Sequence, residues 1–207
     1  LVNLNVDVIV TGANPVIAAV RRATTSIPVV MAASRDPVGS GFVASLARPG
    51  GNVTGLTSDP SPEFHGKRLE LLKEAVPRAT RVALLWNPVP PSAKTYRKIV
   101  EDAAFKLGMT VQVVEVRGRD ELEGAFATIA RERADAVLVD SDPVFFTARF
   151  QIVRLAAKHQ LPAVYQAREF VDIGGLMSYG DNVAHRFRRA AAYVDKILRG
   201  SRPGELP

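Results

Sequence analysis

What most restricts the fold of this chain is its alternation of short apolar runs with longer amphipathic segments. Val6 to Val10, Ile27 to Met31, Asn52 to Leu56, Arg81 to Trp86, Thr110 to Val116, Ala136 to Val139, Pro162 to Tyr165 and Gly175 to Tyr179 are too short for surface helices. Most are rich in Val, Ile and Leu, as strands buried on both faces are. Between them the apolar residues recur at helical spacing, as Leu69, Leu72 and Val76 do. Helices are predicted over Asn14 to about Thr24, Pro37 to Arg48, Glu63 to Ala75, Ser92 to Leu107, Asp120 to Glu132, Phe145 to His159 and Val183 to Arg199. Gln166 to Ile173 reads as irregular or a single turn. Strands and helices alternating at these lengths build parallel sheets covered on both faces, so the class is α/β, with Rossmann-like units.

Two stretches break the alternation. Thr57 to Pro62 carries two prolines and no apolar period, and Gly180-Asp181-Asn182 interrupts the pattern before the last helix. Both read as hinge crossings between two lobes. Residues 1–57 with 182–207 fall in a first lobe and 58–181 in a second. The second lobe has five strands, enough for a complete sheet, whereas the first has only three. The first lobe is therefore expected to be incomplete, with the final helix returning to cover it. The chain reads as a fragment trimmed at both ends.

Composition removes several function classes. The absence of cysteine excludes disulfides, thiolate metal sites and cysteine nucleophiles. The three histidines, His65, His159 and His185, lie far apart in helical patterns and read as surface residues rather than metal ligands. The net charge of +6 raises the question of nucleic acid. Its basic residues are dispersed, however, and the densest run, Arg186, Arg188 and Arg189, has no interleaved aromatics, so it reads as a solvated helix face. No apolar run reaches the roughly 20 residues that span a bilayer, and a signal peptide is expected to have been removed. No phosphate loop, dinucleotide fingerprint or nucleophile elbow is present, so no catalytic residue, cofactor or metal is assigned.

The chemistry gathers where strands end. An acidic or amide residue precedes proline at Asn14, Asp36, Asp59, Asn87 and Asp142, and four of these five pairs follow a strand. Helix initiation alone accounts for such pairs, since Asn and Asp cap helices and Pro suits the first turn. Ligands of open α/β sheets, however, bind beyond the carboxyl ends of strands. Candidate ligand-binding residues are therefore Gly12, Ala13, Asn14, Arg35, Asp36, Asn87, Asp140, Ser141, Asp142, Gln166, Glu169 and Tyr179. Donors around Ala13, Asn14 and Ser141, or Arg35, suit a carboxylate, while Asp36 or Asp142 suits an ammonium group. This mixture fits a zwitterion better than a sugar. Phe145, Phe146, Tyr165 and Tyr179 could supply apolar walls or belong to the core.

Three motifs carry a family resemblance: D-P-V-x-x-G-F-V-x-S-L-A-R-P-G-G-N-V-T-G from Asp36, K-R-L-E-L-L-K-E from Lys67 to Glu74, and R-R-A-A-x-Y-V-D-K-I-L-R-G from Arg188 to Gly200. Over almost its whole length the chain resembles the ABC-transporter substrate-binding proteins, typified by bacterial tryptophan and aromatic amino-acid uptake proteins. The resemblance implies a type I periplasmic-binding fold whose two lobes close over a small ligand. It also implies further strands and helices upstream and a further segment after Leu206-Pro207. The expected function is that of a periplasmic or otherwise extracytoplasmic solute-binding protein, not an enzyme. Its partners would be an amino acid or related small carboxylate and a membrane permease, with no nucleic acid. The alternative is the ligand-sensing domain of a regulator or receptor of the same fold.

Overall fold

The computed structural model describes residues 2–58, 63–90, 93–180 and 182–207. The chain divides into two compact units, Leu1–Pro60 with Asn182–Pro207, and Ser61–Asp181. The predicted crossing at Thr57 to Pro62 lies largely outside the described residues, as do Asp59-Pro60, the expected helix start at Ser92, and Asp181.

In the first unit, β1 (Ile9–Gly12), β2 (Val29–Ser34) and β3 (Val53–Thr57) form a parallel sheet in that order, and α1 (Asn14–Ala23) follows β1. The first strand begins later than its sequence predicts, because pairing starts at Ile9 opposite Val29, and Val2–Leu4 forms a 3-10 turn instead. One face of the sheet packs Val29, Met31 and Val53 against Ile17 of α1 and against Phe42 and Val43. On the other face, Val30, Ala32 and Leu56 meet Ala190 and Ile197 of the final helix, Val183–Leu198. Gly55 lies so close to β2 that a Cβ there would sit 2.2 Å from the Met31 carbonyl oxygen, and its φ is +132°. The tail is tied back as well: Thr54 Oγ1 donates to the Leu206 carbonyl at 2.6 Å, and Gly50 N to the Gly204 carbonyl at 3.1 Å.

The helix predicted from Pro37 does not form. Residues 37–51 are a chain of turns in which Phe42 N and Val43 N both donate to the Pro37 carbonyl and Gly41 takes a φ of +69°. Burying Phe42 and Val43 in the core stabilises this path more than one further exposed helix would.

The second unit carries a five-stranded parallel sheet of order β5-β4-β6-β7-β8, comprising β4 (Arg81–Trp86), β5 (Thr110–Glu115), β6 (Ala136–Val139), β7 (Ala163–Tyr165) and β8 (Met177–Ser178). On one face α2 (Glu63–Ala75) and α3 (Ala93–Lys106) bury Leu69, Leu72, Val100 and Ala104 against Val82, Leu84, Trp86, Leu138 and Val164. On the other, α4 (Leu122–Arg131) and the helices after β6 enclose Leu85, Val137, Val139 and Tyr165. The helix predicted from Phe145 to His159 divides at Ala148 into α5 (Pro143–Thr147) and α6 (Arg149–Lys158), and α7 (Arg168–Val171) is a single turn. The last helix is thus α8. Asp120 does not cap α4, which a 3-10 turn at Arg119–Glu121 precedes. One histidine differs from expectation: His65 is buried, edge-on to Tyr96 with ring centroids 5.1 Å apart. No helix among the described residues is long and apolar enough to cross a membrane.

Candidate functional site

In the first unit the candidate residues converge because the adjacent strands β1 and β2 run parallel and end together. Asn14, however, does not cap α1. Ala13 holds the capping position with φ 66° and ψ 130°, and no side chain bonds the first turn. The Asn14 carboxamide instead joins the two strand ends. Its Nδ2 donates to the Arg35 carbonyl at 2.6 Å and to Ser40 Oγ at 2.9 Å, and its Oδ1 accepts from Ser34 Oγ and Arg35 N, both at 3.0 Å. Ala13 N is bonded to the Ala33 carbonyl at 3.0 Å, while Gly12 ends β1. Ala13 and Asn14 are thus both engaged in closing the strand ends. Arg35 is buried immediately after β2. Asp36 is exposed with φ 46°, and its Oδ1 accepts from Gly39 N at 2.9 Å, so it caps the turn that replaces the predicted helix.

In the second unit the turn after β6 lies beside the end of β4, because these strands are neighbours in register through Leu85 and Val139. Asn87 Nδ2 donates to Asp142 Oδ2 at 3.1 Å, while Asn87 Oδ1 accepts from Val89 N at 3.1 Å. Asp142 Oδ1 accepts from Val144 N at 2.8 Å and so caps α5. Asp140 Oδ1 accepts from Ser141 N at 2.7 Å. Asn87, Asp140 and Asp142 are all buried. The Asp142 oxygens thus serve a helix N-terminus and a neighbouring strand.

Gln166 follows β7 and is only 8% exposed, yet neither Oε1 nor Nε2 has a hydrogen-bond partner among the described residues. Glu169 is half-buried on α7. Tyr179 follows β8, with its ring 5.5 Å from that of Phe64 and its carbonyl accepting from Arg68 Nε at 2.6 Å. Of the expected apolar walls, Phe145 and Tyr165 are core residues, and Tyr165 stacks on Phe170 with centroids 4.6 Å apart. Burial pushes the Tyr165 phenol up to about 12. Residues that sequence reasoning passed over are Arg68, fully buried on α2, and Phe64. The sole sequence sign was their place in the first turns of the helix that follows a crossing. No group of three or more His, Cys, Asp and Glu able to hold a metal occurs among the described residues.

Parallel sheets whose carboxyl ends gather polar side chains place them where open α/β folds bind their ligands. Comparison with known proteins makes this specific. The family model described as ABC transporter substrate binding protein matches residues 1–207, and the chain belongs to that family. A tyrosine-binding protein of Clostridioides difficile (strain R20291) is 26% identical over 201 residues, 97% of this chain and 57% of the relative. An ABC domain from Streptococcus pneumonia, solved in complex with L-Trp, is 28% identical with a TM-score of 0.90, covering all of this chain and 69% of that one. A conserved domain protein from Vibrio cholerae is 31% identical with a TM-score of 0.89, covering 99% of this chain and 68% of that one. The chain thus spans somewhat more than half the length of its curated relative. Its fold is the type I periplasmic-binding fold of this family.

Proposed function

We infer that this chain is the ligand-binding part of an extracytoplasmic protein that delivers an amino acid, or a closely related small carboxylate, to an ABC permease. The observation that carries the reading is the family match along the whole chain. The relatives named for tyrosine and solved with L-Trp favour an amino acid as the ligand class. The chemistry of the strand ends supports it. Gly12, Ala13, Asn14, Arg35 and Asp36 form the candidate set of the first unit, and Asn87, Asp140, Ser141, Asp142, Gln166, Glu169 and Tyr179 that of the second. Within these sets Asn14, Asn87 and Asp142 act as braces that fix the loop backbones. Arg35, Gln166, Glu169 and Tyr179 are the side chains proposed to face the ligand. The two lobes of the family fold correspond in this reading to the two compact units. Match to a transport family favours this reading over a regulator's sensing domain.

Mass spectrometry of small molecules released on denaturing the purified protein, followed by titration with the compound found, tests the reading. An amino acid released in stoichiometric amount is the expected result. Release of a sugar or nucleotide, with no heat on titrating amino acids, would sink it.

A further inference from the structure

Gln166 is the one buried candidate whose side chain the fold leaves unsatisfied among the described residues. Its carboxamide is more than nine-tenths buried, and both of its polar atoms lack a partner. Folded proteins keep few such groups, because burying a donor or acceptor without a bond costs stability that an apolar residue of the same shape would not. The polar candidates at the ends of β4 and β6 are not left in this way. Asn87 and Asp142 bond each other, Asp142 caps α5, and Asp140 holds Ser141 N. The backbone at Gln166 is tightly placed too: Gly180 approaches so closely that a Cβ there would lie 2.0 Å from the Gln166 carbonyl oxygen. Nearby in the order of strands, Trp86 at the end of β4 is also buried with its indole N–H unbonded among the described residues. A buried, unsatisfied carboxamide thus ends a strand whose neighbour, β6, ends in carboxylates that are already bonded.

Resting on the amino-acid reading above, we propose that Gln166 is the residue of the second unit that reads the ligand's charged end. Its Oε1 accepts from the α-ammonium and its Nε2 donates to the α-carboxylate. A carboxamide has two donors and an acceptor with two lone pairs, so one side chain serves both groups. This gives to a neutral residue the ammonium contact for which the sequence offered Asp36 or Asp142. Because a carboxamide does not titrate, its share of the affinity is constant across the pH range in which carboxylates and histidines change charge.

Calorimetric titration of the full chain with L-tyrosine, L-tryptophan, tyramine (no carboxylate) and 3-(4-hydroxyphenyl)propionic acid (no ammonium) tests this, using wild type, Gln166→Met and Gln166→Glu. Wild type is expected to bind at least one of the two amino acids and to reject both truncated analogues. Gln166→Met, of similar volume, should lose tenfold or more in affinity while the ligand-free melting temperature stays level or rises. A merely structural glutamine would lower that temperature and leave affinity alone, which overturns the proposal. Gln166→Glu keeps the shape and provides a second arm: its added charge should favour tyramine over the amino acid relative to wild type, and an unshifted preference counts against the bridging role. If wild type binds neither amino acid, the amino-acid reading itself fails and this assignment with it. If wild type binds and both variants bind alike, only the assignment fails.

Discussion

At the scale of single residues, carboxylates at strand ends divide by what they already hold. Asp142 is bonded to Val144 N and to Asn87, so its removal takes away a helix cap and a link between adjacent strands together. Asp142→Ala is expected to cost about 2 kcal/mol or more, since a cap is worth about 1 kcal/mol and a buried partner left unpaired adds to that. Asp36→Ala, at an exposed turn, should cost well under about 1 kcal/mol. Urea unfolding of both variants checks this, and equal midpoints would contradict the brace assigned to Asp142. Tyr165 gives a second residue-scale expectation, through pH. Its phenol ionises at about 12 in the folded chain against an ordinary 10.0. Below pH 10 it is neutral in both states and its contribution to stability is intact. Between pH 10 and 12 the unfolded chain releases the proton first, so stability falls as pH rises, by about 2 to 3 kcal/mol. The slope of unfolding free energy over that window should be shallower in Tyr165→Phe; identical slopes would show that the phenol does not carry the effect.

At the scale of elements, much of the architecture was legible because buried strands leave a one-dimensional trace. β4 and β6 are almost uninterrupted Val, Leu and Ala, and no other element of an α/β fold needs such a run. The stretch from Pro37 misled for a physical reason. Its apolar residues, Val38, Phe42, Val43 and Leu46, have helical spacing, but two glycines and a turn capped by Asp36 make the compact loop accessible, and the core rewards burying Phe42 and Val43. Braces and ligand groups were not separable in advance. Asn14, Asn87 and Gln166 are the same kind of side chain at the same kind of place, and only the third dimension shows two with partners and one without any among the described residues. Ala13 was also opaque, since nothing in alanine announces a φ of 66°. Gly55 offers the sharpest test of an element contact. With no room beside the Met31 carbonyl and a φ of +132°, Gly55→Ala combines a clash with backbone strain. It is expected to destabilise the first unit by about 3 kcal/mol or more. Hydrogen exchange should report this as lost protection in β2 and β3 with β4 to β7 unchanged, and uniform loss would mean that the two sheets unfold as one.

At the scale of the whole molecule, the units differ in how the chain supplies them. The second is one continuous stretch, Ser61–Asp181, with its own five-stranded sheet and two cores. The first needs two separate stretches, because α8 covers the face formed by Val30, Ala32 and Leu56. Ending the chain at residue 181 is therefore expected to leave the second unit folded and the first open. Amide NMR of that truncation would show dispersed signals for 61–181 and collapsed ones for 1–60. Dispersed signals for both would mean that the three-stranded sheet does not depend on α8.

The return of α8 also sets an order of events during synthesis. The strands of the first unit emerge from the ribosome well before the helix that shields them, separated by roughly 120 residues. At cellular elongation rates that interval lasts on the order of ten seconds. Throughout it the apolar strip on β2 and β3 stays uncovered while the second unit can already close. The maker of this protein thus holds a sticky half-finished sheet for a fixed time, and a translation pause placed after residue 181 would prolong the exposure, whereas one placed before residue 27 would not.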